Sequence, residues 1–187
     1  MLEKVGDTIK VAFFDRDGTI IKDYPDHDWS EVDQPEFIEG AFDTLKEVQA
    51  RGYAIIIVTN QYLINEGFIS FERYQSLSDQ MLKRLAENGI EVKDIFYCPH
   101  RRDEGCRCMK PNLGMIEQAI EKYPDIDLNR SFMVGDSACD MELAERTGMA
   151  GYWITEEHTC KFNNVKTVKS IIEITDIVKG EFVWRKS

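Results

Sequence analysis

Two carboxylates stand one residue apart in Asp15-Arg16-Asp17-Gly18-Thr19, at the end of the apolar run 9–15. Acids so spaced can divide labour: one, ionised, attacks an electrophile or ligates a metal, while the other exchanges a proton with the leaving oxygen. The glycine lets the chain turn sharply behind them. A second apolar run, 53–59, ends in Thr59-Asn60-Gln61, whose hydroxyl and backbone N–H groups suit phosphoryl oxygens. Lys110 precedes Pro111, a proline suited to a helix start, and its ammonium is a compact cation suited to phosphate. A third apolar run closes with Gly135-Asp136-Ser137 and then Asp140, a supply of oxygen ligands for Mg²⁺. Each group alone also fits a plainer role as a polar turn or a solvated lysine.

The segment 98–110 carries a different chemistry. Cys98-Pro99-His100 and, five residues on, Cys106-Arg107-Cys108 give three thiolates and one imidazole, the donor set of a closed four-coordinate zinc site. The chain has five cysteines, an odd number, and three of them crowd too closely for a disulfide framework. Cys139 and Cys160 read as packing residues, and His27 and His158 as surface ones. The loop has few apolar residues, so something other than a core must order it.

Placing these groups requires strands that end where the chemistry begins. The runs 9–15, 53–59, 94–97, 132–136 and 151–155 are short, apolar and rich in β-formers, without polar alternation, as in strands covered on both faces. Between them lie amphipathic helical patterns over 41–51, 70–88, 113–123 and 138–147, several followed by glycine. Alternating β and α segments predict an α/β, Rossmann-like fold: a parallel sheet with right-handed crossovers and helices on both faces. Ligands bind such sheets at the carboxyl ends of the strands. Residues 22–39, polar and aromatic with Pro25 and Pro35, are too long for a simple βα loop and predict a flap beside the site. Residues 165–178 hold a further short strand and a final helix, and 181–187 trail over the surface.

With 187 residues, 43% hydrophobic and 30% charged, the chain is expected to form a single domain over 1–187, with the zinc loop 98–110 inserted. No run of about 18 apolar residues is present and the first ten residues are unlike a secretory signal, which predicts a cytoplasmic protein without a membrane partner. A net charge of −11 repels polyanions, so nucleic acid is not an expected partner. A small phosphorylated metabolite is, for a monomer or small homo-oligomer.

The order DRDGT, TN, KP and GDSACD, each piece at a strand or helix end, resembles the phosphatases of the haloacid dehalogenase (HAD) superfamily over residues 11–155. The resemblance implies Asp15 as nucleophile and Mg²⁺ ligand, and Asp17 as general acid/base that also lends its backbone carbonyl to the metal. It implies Asp136 as the remaining Mg²⁺ ligand, and Thr59, Asn60 and Lys110 as the phosphate-binding residues. Asp140 would steady Lys110 or a metal-bound water, and Arg16 would orient rather than react. An aspartyl phosphate, hydrolysed by water that Asp17 activates, is the implied intermediate.

The C-P-H…C-x-C loop before K-P, with VTNQ and PEFIEGA, resembles the capless subgroup of heptose-1,7-bisphosphate 7-phosphatases and histidinol-phosphate phosphatases. There a zinc loop, here Cys98, His100, Cys106 and Cys108, takes the place of a cap. The five-residue gap is nearer the histidinol-phosphate branch. One residue departs: Met109 stands where the relatives carry an arginine that contacts substrate, and QYLINEG lacks their Ser-Gly. The expected substrate is therefore a small phosphorylated sugar, polyol or amino alcohol, a monophosphate rather than a bisphosphate, with a heptose-1,7-bisphosphate 7-phosphatase or histidinol-phosphate phosphatase proper as the alternative. Two rivals share the fold: a polynucleotide 3′-phosphatase, disfavoured by the acidic charge and the zinc loop, and a zinc-stabilised scaffold without activity, disfavoured by the intact Asp15, Asp17, Lys110 and Asp136.

Overall fold

The computed structural model describes residues 8–156 and 161–180. The readings of Cys160, His158, the first seven residues and 181–187 lie outside these.

Val11 to Phe14 are all fully buried, so both faces of the first strand need cover. The chain supplies it through β1 (Val11–Phe14), α1 (Ala41–Ala50), β2 (Ala54–Asn60), α2 (Phe71–Glu87), β3 (Val92–Cys98), α3 (Gly114–Lys122), β4 (Phe132–Gly135), α4 (Ala138–Thr147), β5 (Ala150–Ile154), β6 (Val165–Val168) and α5 (Ile172–Lys179). The strands form one parallel sheet in the order β3-β2-β1-β4-β5-β6. This is the expected α/β architecture, and the short strand and helix anticipated near the C-terminus are β6 and α5.

Alternate residues of each strand face opposite layers. Ala12, Phe14, Ile55 and Ile57 pack with Leu45 and Val48 of α1, Leu77, Met81 and Leu85 of α2 and Ile174 of α5. Val11, Phe13, Ile56, Val58 and Met133 pack with Met115, Ile116 and Ala119 of α3 and Met141, Leu143 and Ala144 of α4. Helices thus cover both faces. Of the three zinc-loop cysteines, Cys98 and Cys108 are buried in the second layer and Cys106 packs partly buried against it, whereas the flap joins the first.

The flap is more ordered than its polarity suggests. Ile21 bridges Phe37, Lys22 N donates to Glu36 O and Ile38 N to Ile20 O, closing the segment at its base. Trp29, in a single 3₁₀ turn Asp28–Glu31, is fully buried and meets Tyr24 edge-on. One large aromatic therefore anchors an otherwise hydrophilic stretch. Among the described residues, no helix is long and apolar enough to cross a membrane.

The sheet reverses direction of growth at β1, whose neighbours are β2 and β4. Phe14 lies opposite both Ile57 and Val134, so Asp15, Thr59 and Asp136 emerge together at the carboxyl edge. Crevices at such a switch point are where ligands enter open α/β sheets.

Candidate active site

Asp15 is almost wholly buried at the end of β1, its amide donating to Val134 O and its Oδ1 accepting from Arg16 N at 2.7 Å. Lys110, 4% exposed, reaches it from the loop before α3: Nζ lies 2.8 Å from Asp15 Oδ1, 2.7 Å from Asp140 Oδ1 and 2.8 Å from Val58 O. All three N–H bonds of the ammonium are thereby engaged. Burial alone would lower its pKa, but Asp140 and Asp15 outweigh that and hold Lys110 charged. Asp140 is fully buried in the first turn of α4, where its Oδ2 accepts from Ser137 N and Oγ in a capping box.

The peptide bond between Lys110 and Pro111 is cis, and α3 begins only at Gly114 with Leu113 as its N-cap. Pro111 is thus not the helix start that its position suggested. Lys110 is placed instead by Asn60, whose Oδ1 accepts from Lys110 N at 2.8 Å and whose Nδ2 donates to Lys110 O at 3.2 Å. Asn60 was expected to hold phosphate. Its side chain clamps the lysine's backbone.

Asp15, Asp136 and Asp140 offer carboxylate oxygens that all lie within 4.8 Å of one another. Burial, the largest influence, raises the Asp15 pKa well above the usual range, with Asp140 and Asp17 adding to it against Lys110. Asp136 is pushed up to about 6, by burial first and then by Asp140. Neighbouring carboxylates that resist ionising together are what a divalent cation stabilises. Since Asp140 is committed to Lys110 and Ser137, Asp15 and Asp136 are the side chains with an oxygen to give. Trp153 Nε1 donates to Asp136 O at 2.9 Å and steadies that turn. Gly18 makes room for it: with φ +77°, a Cβ there would fall 2.0 Å from Asp136 Oδ2.

Asp17 points elsewhere. Arg16 grips its carboxylate, Nε to Oδ1 at 2.8 Å and Nη2 to Oδ2 at 3.0 Å, and Gln61 Nε2 donates to Oδ2 at 2.7 Å. Arg16 is fully buried, donates to Ser78 Oγ, and lies over the rings of Trp29 and Tyr74 at 5.5 and 5.2 Å. Burial would lower its pKa, and Asp17 more than offsets this. Gln61 also donates to Thr59 Oγ1 at 2.8 Å. The sequence singles out Gln61 only for its backbone and gives Trp29 and Ser78 no role. The signal available was a polar residue continuing directly from a buried strand, and a tryptophan in a hydrophilic flap.

The zinc-loop residues converge. Cys98 Sγ lies 3.4 Å from Cys106 Sγ, 3.1 Å from Cys108 Sγ and 3.5 Å from His100 Nδ1, and Cys108 Sγ lies 3.1 Å from His100 Nδ1 and 3.6 Å from Cys106 Sγ. A disulfide needs sulfurs about 2.05 Å apart, so none is present here. Zinc–sulfur bonds of about 2.3 Å in a tetrahedron give edges of about 3.8 Å, close to this spacing. Burial pushes the Cys98 and Cys108 thiols up, which a bound dication would reverse. The donor set fits zinc. Gly114 seals the loop against α3, its N–H donating to Arg107 O, where a Cβ would come within 2.5 Å.

Within the loop, Arg102 pairs with Glu66 at 2.6 Å and Asp26 at 3.1 Å and lies 4.2 Å over the Tyr62 ring. It ties the zinc loop to the flap and to the β2–α2 connection.

Fold and site together define a phosphatase of the HAD superfamily. The chain is 37% identical over 181 residues to D-glycero-alpha-D-manno-heptose-1,7-bisphosphate 7-phosphatase of Photorhabdus laumondii, covering 88% of this chain and 97% of that one. It is 36% identical to D-glycero-beta-D-manno-heptose-1,7-bisphosphate 7-phosphatase of Pasteurella multocida, over 91% of this chain and 97% of that one. A probable D-glycero-D-manno-heptose-1,7-bisphosphate 7-phosphatase of Thermoplasma acidophilum is 39% identical over 76% and 88% of the two chains. Residues 10–169 match the family model described as polynucleotide kinase 3 phosphatase. In fold alone, the chain resembles D,D-heptose 1,7-bisphosphate phosphatase of B. bronchiseptica complexed with magnesium and phosphate, with TM-score 0.79 and 24% identity over 93% and 100% of the chains. The chain belongs to the family of that polynucleotide kinase 3 phosphatase model and, by its relatives, to the D-glycero-D-manno-heptose-1,7-bisphosphate 7-phosphatases.

Proposed function

We propose that the chain removes the 7-phosphate of a D-glycero-D-manno-heptose 1,7-bisphosphate in the cytoplasm. The observation that carries this is full-length likeness, at 36–37% identity, to two enzymes named for that reaction. The bisphosphate thereby displaces the monophosphate expected from Met109. Asp15 Oδ attacks phosphorus in line, the bond to the sugar oxygen breaks, and Asp17 delivers a proton to that oxygen. Asp17 then takes a proton from water, which attacks the aspartyl phosphate, frees inorganic phosphate and restores the Asp15 carboxylate. Lys110, turning to substrate the N–H that it gives Asp15, and the Thr59 hydroxyl, with the Asn60 backbone, hold the phosphoryl oxygens. Asp15, Asp136 and the Asp17 backbone carbonyl would hold Mg²⁺, which supplies charge neutralisation as the phosphoryl group transfers. Cys98, His100, Cys106 and Cys108 would hold zinc in a structural role.

One observation favours a second reading, a plain monophosphate ester. Met109 carries no charge, and Arg101, Arg102 and Arg107 are each engaged by a carboxylate, from Asp103, from Glu66 with Asp26, and from Glu117. The test is kcat/KM with Mg²⁺ for both anomers of heptose 1,7-bisphosphate, the heptose 7-phosphate, histidinol phosphate and a 3′-phosphorylated oligonucleotide. A tenfold preference for a bisphosphate over every other compound upholds the first reading. Equal turnover of the 7-phosphate sinks it in favour of the second, and preference for the oligonucleotide sinks both.

A further inference from the structure

Gln61 is fully buried, and its side-chain amide touches three functional groups at once. Its orientation is not arbitrary. Arg16 can only donate, so the amide oxygen must face Arg16 Nη2 at 3.0 Å. The NH₂ then faces Asp17 Oδ2 at 2.7 Å and Thr59 Oγ1 at 2.8 Å, spending both hydrogens. The Thr59 hydroxyl, accepting from Gln61, keeps its own proton for another acceptor. The backbone of Gln61 is pinned too, its N–H donating to Cys98 O at 2.7 Å.

From this geometry we infer that Gln61 is a positioning residue: it sets the Asp17 carboxyl for proton exchange with the leaving oxygen and turns the Thr59 hydroxyl toward the phosphoryl group. The inference rests on the roles proposed for Asp17 and Thr59. With its amide spent on these three partners, Gln61 acts through those two side chains and through Arg16, whose fork it completes. A misplacement of about 1 Å in such a group costs on the order of 10²-fold in rate.

A leaving group that needs a proton separates positioning from general structural support. The sugar alkoxide of heptose 1,7-bisphosphate needs one, and the phenolate of 4-nitrophenyl phosphate departs without it. The experiment measures kcat and KM for both esters in wild type, Gln61→Leu, Gln61→Glu and Asp17→Asn, each checked for zinc content and melting temperature. Gln61→Glu keeps the shape and the Arg16 contact while removing the donors, so it remains informative if the leucine variant folds poorly. Both Gln61 variants are expected to lower the sugar-to-aryl ratio of kcat/KM at least about tenfold, mainly through kcat, in the direction of Asp17→Asn. Inorganic phosphate should inhibit them about fivefold less well, as befits one lost hydrogen bond. An unchanged ratio in both Gln61 variants, with Asp17→Asn shifting it, overturns the role of Gln61 alone. An unchanged ratio in Asp17→Asn overturns the acid–base role of Asp17 and this inference with it.

Discussion

The carboxylate cluster and the zinc loop meet between Met109 and Lys110, yet different forces order them. Asp15, Thr59, Asp136 and Asp140 hang from strands and a helix whose apolar residues are buried in two layers. The stretch 99–107 contributes only Cys106 to either layer, and that one is partly buried. What it has instead is His100 and Cys106, two of the four converging donors, and a set of polar contacts to its neighbours. Charged side chains at the first site are therefore held by packing, and Lys110 is held partly by each region: Nζ by Asp15 and Asp140, backbone by Asn60, and chain continuity by the loop.

Experiments can pull the two apart. The largest effect is expected from Asp15→Asn, which removes the proposed nucleophile and should lower kcat by about 10⁴-fold or more while zinc content stays at one per chain. Steady-state kinetics beside elemental analysis check this, and near-wild-type turnover would discard the mechanism. Removal of Mg²⁺ by exhaustive desalting should abolish turnover reversibly and leave zinc in place, since a closed thiolate site exchanges far more slowly than an open carboxylate one. Loss of both metals together would contradict the separation.

Cys106→Ser should act in the opposite sense, on structure first. Structural zinc contributes apparent binding energies of about 10–16 kcal/mol in small peptides at neutral pH, ample to order a loop without a core. The variant is expected to lose zinc, to become susceptible to proteolysis within 99–113, and to lose about 10–100-fold in kcat through Lys110 while far-ultraviolet circular dichroism stays near wild type. Limited proteolysis with peptide mapping reads this directly, and full zinc retention would refute the ligand assignment.

Gly18→Ala sharpens the other half of the comparison. A left-handed non-glycine residue costs about 1–3 kcal/mol, and its Cβ would collide with Asp136, so a loss of about tenfold in apparent Mg²⁺ affinity is expected from a titration of activity. The smallest effect belongs to Arg102→Ala, because that pair network is largely at the surface, where an ion pair contributes about 0–1 kcal/mol. Its melting temperature should change by no more than a few degrees. A collapse of activity would mean that the flap and the zinc loop are coupled through this contact to the site.

How much could be read in advance follows the same division. Strands such as 54–60 were legible because an unbroken apolar run has one comfortable place, the middle of a covered sheet. Ser70 before α2 and Gly148 after α4 mark their helix ends by capping chemistry that is local in sequence. Pro111 misled because its local rule, a preference for the first helical turn, was overridden by the packing of the loop. Asn60 drew notice for its backbone beside Thr59, and only the fold brings Lys110's backbone, fifty residues away, onto its side chain.

By itself, the amino-acid sequence determined the α/β alternation, the residues that carry charge at strand ends and the three cysteines and one histidine gathered in the loop. Those depend on periodicity, on residue chemistry and on short spacings along the chain. Only the tertiary structure decided which of those charges face one another. It gave Asp140 to Lys110, leaving Asp15 and Asp136 with carboxylate oxygens to offer, and it put Asp17 in the grip of Gln61 and of Arg16, which itself lies over the Trp29 and Tyr74 rings. A contact between residues dozens of positions apart is set by strand order, register and the shape of the packed core, none of which any local stretch of sequence contains.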